Sequence, residues 1–428
     1  MFRFFLFLFS FIISLNSYAI NIDETIKSTV NNNPKIKIGL EKIMESKELI
    51  QKASGELLPD IKSTISGTYT TSESKTATAT TENDTFADTY KLSINQSLYD
   101  AGYNQLEIER SKILFNNEII NFKIIVQNLI IDAIKGYLTV LNYQKSLEAN
   151  NKNFDFVSKA LAITKIKYNL GSTTLYDLQN SESTFALAKS NLFIAEQNLL
   201  IGEKTFKRIA GLTPINIEEV VEINTFINFD SIIENLVNHN LILLLLKNDI
   251  KNKEILLLKE KKAKKPNLDL SGTIEYSDAD RIDNGTETTK GTLAFTLTIP
   301  IFQQGIDDSN IRKYQSQILQ SELNLEDSSE DLKIEISNVY KDFITSETKM
   351  EAYLSSIKAS ETALISLNNE YEIGTKTISD IINEEEELLK AKVNYFNSKK
   401  DFLIAYFKIK ALEGTLLEIF DEYLPEIN

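Results

Sequence analysis

The residue types that most often carry catalysis or bind metals are scarce in this sequence. Cysteine is absent, and His239 is the only histidine among 428 residues. The sequence also lacks a glycine-rich phosphate loop and a spaced set of metal ligands. His239 lies in a helix-turn segment that recurs at Asn32, so a surface or capping role is favoured over catalysis. We therefore predict that the protein is not an enzyme and has no cofactor or metal site.

Carboxylates are the remaining side chains with useful chemistry, and two of them hold equivalent positions. Asp177 and Asp380 each follow a Tyr-x-x-Gly segment at the same spacing, and Asp380 is followed by Glu384–Glu387. An acid in the first turn of a helix complements the helix dipole by a few tenths to about 1 kcal/mol. That local role is sufficient for one copy, and most other acids are expected on solvated helix faces.

The two aspartates belong to a stretch that occurs twice. Tyr168–Gly211 and Tyr371–Gly414 keep Tyr, Gly, Asp and a closing Gly at a constant spacing of 203 residues. This period is far longer than the units of about 20–50 residues that build solenoids. The chain is therefore interpreted as two copies of one structural half.

Each copy is predicted to be a helix, a sharp break and a second helix. Gly171 and Gly374 can adopt the left-handed conformation that ends a helix. The next helices are expected to be capped by Ser172 or Thr173 and by Thr375.

Residues 1–19 are predicted to form a secretory signal peptide. Arg3 precedes the apolar run Phe4–Leu15, and Ser17-Tyr18-Ala19 fits a cleavage site. No later stretch offers about 18 consecutive apolar residues, so no transmembrane helix is expected. A net charge of −15 argues against nucleic acid as a partner. Export without disulfides indicates the periplasm or outer membrane of a Gram-negative cell.

Alternation of apolar and polar residues predicts two β-hairpins. Strands of about ten residues are expected on each side of a polar loop at 70–88, and again around a loop at 277–290. The predicted polar faces carry Lys62, Thr64, Lys91, Asn95, Asp269 and Glu275.

The remaining segments are predicted to be helical. The expected helices cover 23–32, 35–58, 105–169, 230–238, 241–262 and 308–373, followed in each half by the helix after the break. A helix of about 65 residues is roughly 100 Å long, several times the width of a hydrocarbon core. Such lengths favour coiled-coil packing or a helical tube over a compact globule.

The hairpins impose a condition if they lie in a membrane. Every strand must then be paired, because lipid offers no hydrogen-bond partner to a free edge. Four strands per chain are too few for a barrel, so chains must share one. Two copies would give eight strands and a filled interior, whereas three would give twelve and room for a lumen. Two soluble hairpins packed on helices are the alternative.

The two Tyr-x-x-Gly-x-x-x-x-x-Asp motifs, the turns ending at Gly102 and Gly305, and the Asn-Asn-Pro34 opening resemble the TolC family of outer-membrane efflux channels. The resemblance covers essentially the whole mature chain. It implies a mainly α protein with a small β part, in which a trimer forms a long-helix α-barrel and a shared 12-stranded membrane barrel. The repeats would be 20–228 and 229–428. A periplasmic adaptor and an inner-membrane ATP-driven or proton-driven transporter are implied as partners.

The resemblance also implies roles for individual residues. Asp380, with Asn383 and Glu384 one turn later, would surround the narrowest ring of the pore, where like charges favour cations. Asn383 stands where the best-studied members carry a second aspartate, and Glu384 can replace that charge. A reversible gate latch would join Asp177 to Tyr371 and Lys376, so Asp177→Ala or Lys376→Ala is expected to raise conductance.

These observations predict the exit duct of a tripartite efflux or type I secretion system. The alternative is an outer-membrane-anchored structural or adhesive coiled-coil protein, which would show one outward stalk of heptads instead of duplicated halves. The exported substrate is not indicated by the sequence.

Overall fold

The structure is a computed structural model and describes residues 20–220, 228–281 and 285–425. The predicted signal peptide lies outside the described residues. The first half contains α1 (Ile22–Asn32), α2 (Pro34–Gly55), β1 (Asp60–Lys75), β2 (Thr80–Tyr99), α3 (Tyr103–Asn169) and α4 (Leu175–Ala210). The second half contains α5 (Phe229–His239), α6 (Leu241–Ala263), β3 (Asn267–Arg281), β4 (Thr286–Thr298), α7 (Ile306–Glu372) and α8 (Ile378–Leu412), and then α9 (Leu416–Ile419) and a 3₁₀ turn (Asp421–Tyr423).

The duplication predicted from the sequence is present in the order and size of these elements. Two helices, a hairpin, a long helix and a further helix follow one another in each half. The long helices α3 and α7 both contain 67 residues. Pro34 starts a helix, and left-handed glycines end helices, at the expected places. Proline fits the first helical turn, and glycine tolerates positive φ.

The strands are longer than predicted. β1 has 16 residues and β2 has 20, so they continue through most of the segment 70–88 that was expected to be a loop. β3 and β4 likewise extend into the predicted loop at 277–290. The prediction failed because it assigned loops by their lack of apolar residues. Threonine is a good strand former, and a paired antiparallel ribbon can be polar on both faces.

The four strands form one antiparallel sheet in the order β1-β2-β3-β4. Within the described residues β1 and β4 each pair on one side only, so both edges of the sheet are open. One face is apolar and exposed, and its most exposed members are Ile61, Ile65, Tyr69, Ile274, Leu293 and Phe295, each at least 60 % exposed. The other face carries the polar residues that the alternation predicted.

The chain divides into two compact units that do not follow the sequence repeats. One unit comprises the described parts of Met1–Ile38, Lys123–Asn240 and Glu330–Asn428. Its core includes the stacked rings of Phe343 and Phe402, 4.7 Å apart. The other unit comprises Gly39–Phe122 and Leu241–Ser329, contains the sheet, and buries residues such as Phe122 and Ile255. Each unit thus takes segments from both predicted repeats.

Two segments meet the length and composition criteria for a membrane-spanning helix: α3, and Phe229–Ala263, which covers α5 and α6. The sequence prediction had counted only uninterrupted apolar runs. The apolar window is 44 % buried inside the fold in α3 and 22 % buried in Phe229–Ala263.

Candidate functional site

The sequence places its candidate site at the two interruptions between helices, named here the first break (Tyr168–Asp177) and the second break (Tyr371–Asp380). Gly171 and Gly374 have φ values of +71° and +82°, the left-handed conformation predicted for them. The backbone N–H of Ser172 donates to the carbonyl of Lys167 at 2.9 Å. This bond satisfies a carbonyl group at the end of α3. The backbone N–H of Thr375 donates in the same way to the carbonyl of Glu370 at the end of α7.

The caps of α4 and α8 are Thr174 and Thr377, not Ser172, Thr173 or Thr375 as predicted. The cap moves towards the C-terminus because the residue after each glycine still closes the preceding helix. Each threonine hydroxyl accepts from the backbone N–H of the aspartate three residues later, at 3.1 Å in the first break and 3.3 Å in the second. The aspartate carboxylate in turn accepts from the threonine backbone N–H, which completes a capping box.

These hydrogen bonds stabilise the ionised carboxylates. In the first break, the hydroxyls of Thr174 and Thr173 and then the Thr174 backbone N–H lower the pKa of Asp177. In the second, the backbone N–H and hydroxyl of Thr377 lower the pKa of Asp380, and the charge of the exposed Lys376 adds to this. Both aspartates are therefore anionic at neutral pH while their side chains remain half-exposed.

The residues proposed as a gate latch are not brought together in this chain as the sequence suggested. Among the described residues, the Asp177 carboxylate contacts Thr173 and Thr174 rather than Tyr371 or Lys376. The Tyr371 hydroxyl instead accepts a hydrogen bond of 2.7 Å from Lys167 Nζ. The same ammonium lies 4.4 Å from the centre of the Tyr371 ring, a cation–π contact.

A second polar contact, between the first turns of α4 and α8, was also missed by the sequence prediction. Asn180 Nδ2 of α4 donates to Ser379 Oγ of α8 at 3.2 Å. No sequence pattern pairs two residues separated by 199 positions, and the only available signal was that both lie a few residues from a predicted cap.

The acidic residues that start α8 divide between two faces of the helix. Asp380, Asn383, Glu384 and Glu387 recur at the three- and four-residue spacing that places them on one exposed or half-exposed stripe. Ile381 and Leu388 lie on the other side and are buried with Leu364 of α7.

Glu385 follows that buried side and is half-buried. Burial raises its pKa, and the charge of Lys392 opposes this shift only partly. Lys392 also pairs with Glu361 at 3.0 Å.

Comparisons with known proteins agree with the resemblance seen in the sequence. The family model "Outer membrane efflux protein" matches residues 25–212. The outer membrane protein TolC of Escherichia coli strain K12 is 22 % identical over 421 residues, which cover 94 % of this chain and 84 % of that protein. The outer membrane efflux protein BepC of Brucella suis is 20 % identical over 82 % of this chain and 77 % of its own length.

The fold also matches solved structures. The crystal structure of the Campylobacter jejuni CmeC outer membrane channel superposes with a TM-score of 0.80 and 14 % identity, covering 94 % of this chain and 90 % of CmeC. Together with the duplicated hairpin and helix order, these matches show that the chain is similar to outer membrane efflux proteins over most of its length and shares the fold of solved outer membrane channels.

Proposed function

We propose that this protein is the outer-membrane exit duct of a tripartite efflux or type I secretion system and conducts substrates passively to the outside. The sheet is the observation that carries the proposal. Both of its edges are open within the described residues, and its apolar face is exposed. An open edge cannot stay unpaired in lipid. Other copies of the same chain offer strands of matching length, and three copies supply the twelve strands that leave a lumen.

We infer that the partners are a periplasmic adaptor and an inner-membrane transporter driven by ATP or by protons. The sequence has no phosphate-binding loop, and in this proposal the transporter supplies the energy for export.

The pore constriction is proposed at the start of α8, with Asp380, Asn383 and Glu384 around it. Three-fold symmetry would repeat each residue at one height of the pore. The common stripe of these residues and the lowered pKa of Asp380 support a ring that is charged at neutral pH. Such a ring favours cations.

The gate latch is proposed to include Lys167 as well as Tyr371, Asp177 and Lys376. The contact between Lys167 and Tyr371 joins the end of α3 to the end of α7. The proposed links of Asp177 to Tyr371 and Lys376 would then form between neighbouring copies.

The test is to extract the full-length protein from outer membranes in detergent and to measure its mass and its current in planar bilayers. We expect a particle with three copies and stepwise current. An elongated particle without current would favour the structural coiled-coil alternative. A water-soluble monomer would overturn the duct.

A further inference from the structure

One row of residues on the polar face of the sheet carries charges of both signs. In the register of the strands, Lys91 of β2 lies opposite Glu275 of β3, and Glu275 lies opposite Lys290 of β4. Thr64 of β1 completes the row opposite Lys91. Directly opposite residues share one face, with Cβ atoms about 4.5–5.5 Å apart. One carboxylate therefore lies between two ammonium groups, and the row has one excess positive charge per chain.

Contacts in neighbouring rows fix the face on which this row lies. Thr89 Oγ1 is 3.5 Å from Ser277 Oγ, one row away on the same polar face. Gly272 and Ile94 lie close together on the opposite, apolar face, where a Cβ atom at Gly272 would be 2.8 Å from Cγ2 of Ile94. In a membrane barrel the apolar face contacts lipid, so the row Thr64-Lys91-Glu275-Lys290 faces the lumen.

The polar face is acidic closer to the end where the sheet joins α2 and α3. Asp269 lies opposite Ser97, six residues along β2 from Lys91. Asp60 is neutralised by an ion pair with Lys62 at 2.5 Å, which leaves Asp269 as the excess charge. Six strand residues span about 20 Å, more than twice the Debye length of about 8 Å at physiological salt. The basic row and the acidic end therefore act on ions separately.

We propose that Lys91 and Lys290 form a lumenal belt that attracts anions, including anionic groups on exported substrates. The inference rests on the proposed function, because the belt acts only in a closed barrel. Three-fold symmetry would bring six ammonium groups and three carboxylates to one height, an excess of three positive charges. The exposure of Lys91 and Lys290 leaves their ammonium groups available to passing ions, whereas Glu275 is half-buried between them.

The experiment is a reversal-potential measurement on the purified trimer in a planar bilayer under a KCl gradient. Lys91→Gln combined with Lys290→Gln is expected to raise the ratio of potassium to chloride permeability about threefold near 0.1 M salt. Screening reduces the effect at 1 M, where the Debye length is about 3 Å. Glu275→Gln is expected to shift the ratio in the opposite direction.

Lys91→Arg combined with Lys290→Arg is the matched control, and it retains the wild-type ratio because both charges remain. Measurement in an Asp380→Asn background separates the belt from the proposed constriction. If the variant with Lys91→Gln and Lys290→Gln conducts current with an unchanged ratio of potassium to chloride permeability, the proposed belt is wrong and the proposed duct stands. If that variant does not assemble, Glu275→Gln decides alone, and an unchanged ratio there also overturns the belt. A wild-type trimer without current would overturn the duct and the belt together.

Discussion

The first and second breaks share their backbone chemistry and differ in what surrounds it. Both end a helix with a left-handed glycine and start the next with a Thr/Asp capping box. The helices that follow bury different faces in their first turns. α4 buries the small polar residues Ser181 and Thr184, whereas α8 buries Ile381 and Ile382.

This difference explains where the acidic residues of the second half lie. The positions in α8 that correspond to Ser181 and Thr184 are Glu384 and Glu387, and both are at least half-exposed. A face that the first copy uses for close packing, including the 3.4 Å contact between Ser181 and Thr164, is thus left open in the second. The two copies therefore share the turn but differ in the packing around it. In the second copy, one face of α8 is exposed and carries acidic residues.

The largest predicted effect tests this difference in packing. Ile381→Ala removes a side chain that is 1 % exposed in a cluster with Leu364 and Leu388. We expect it to lower the local free energy of unfolding by about 2–5 kcal/mol. Leu178→Ala, at the equivalent position of α4, should cost less than about 1.5 kcal/mol because Leu178 is only half-buried. Amide hydrogen exchange of the detergent-solubilised protein over the first turns of α4 and α8 measures both. Equal losses would show that the two breaks are packed alike.

The next effect concerns the contact that joins the breaks. Lys167→Met removes the 2.7 Å hydrogen bond and the cation–π contact to Tyr371. A half-buried pair of this kind contributes about 1 kcal/mol, so the ratio of closed to open channels should fall about fivefold and conductance should rise. Asp177→Ala and Lys376→Ala should raise conductance less, because exposed ion pairs contribute about 0–1 kcal/mol each.

Lys165→Met is the matched control for Lys167→Met. It removes a neighbouring lysine whose contact to Glu182, at 3.3 Å, joins α3 to α4 within the first half of the chain. Conductance should remain near the wild-type value. A rise as large as that of Lys167→Met would mean that loss of charge, and not the contact to Tyr371, opens the channel.

The comparison also shows which features the sequence could predict. The ends of α1, α3, α5, α6 and α7 were predicted within about two residues, because Pro and Gly punctuation and helical periodicity are local signals. The strand lengths were wrong, since pairing with a neighbour holds threonine-rich segments extended even without an apolar face. The caps were displaced by one or two residues because hydrogen bonds at the helix end occupy the residues after the glycine.

Contacts between residues that are far apart in the sequence could not be predicted from it. Lys167 and Tyr371 are 204 residues apart, and each lies in a segment whose local pattern only predicts a helix end. The sequence repeat predicted that the two breaks are equivalent. The residue equivalent to Lys167 is Glu370, which has no ammonium group to offer Tyr168, so the repeat itself did not indicate a contact of this kind.

The smallest predicted effect is a pH dependence that only the start of α8, and not that of α4, should show. Glu182 and Glu385 are equivalent positions, but Glu182 pairs with Lys165 whereas Glu385 is half-buried and has a raised pKa. A carboxyl whose pKa is raised above its ordinary value of 4.5 favours the folded state when it is protonated. Its stabilisation is complete below that value and is lost as the pH rises through the folded-state pKa. Amide exchange at the start of α8, corrected for the intrinsic rate, should therefore be slower at pH 4.5 than at pH 7.

Glu385→Gln should remove this dependence and slow exchange at pH 7, because the half-buried group is then neutral at both values. Glu182→Gln should do neither, since it removes only an exposed ion pair. The capping carboxylates of Asp177 and Asp380 have lowered pKa values, so their contribution is lost only as the pH falls below about 3.8, outside this range. If α4 and α8 responded equally to pH, burial at Glu385 would not be the cause, and the packing difference between the breaks would have no electrostatic consequence.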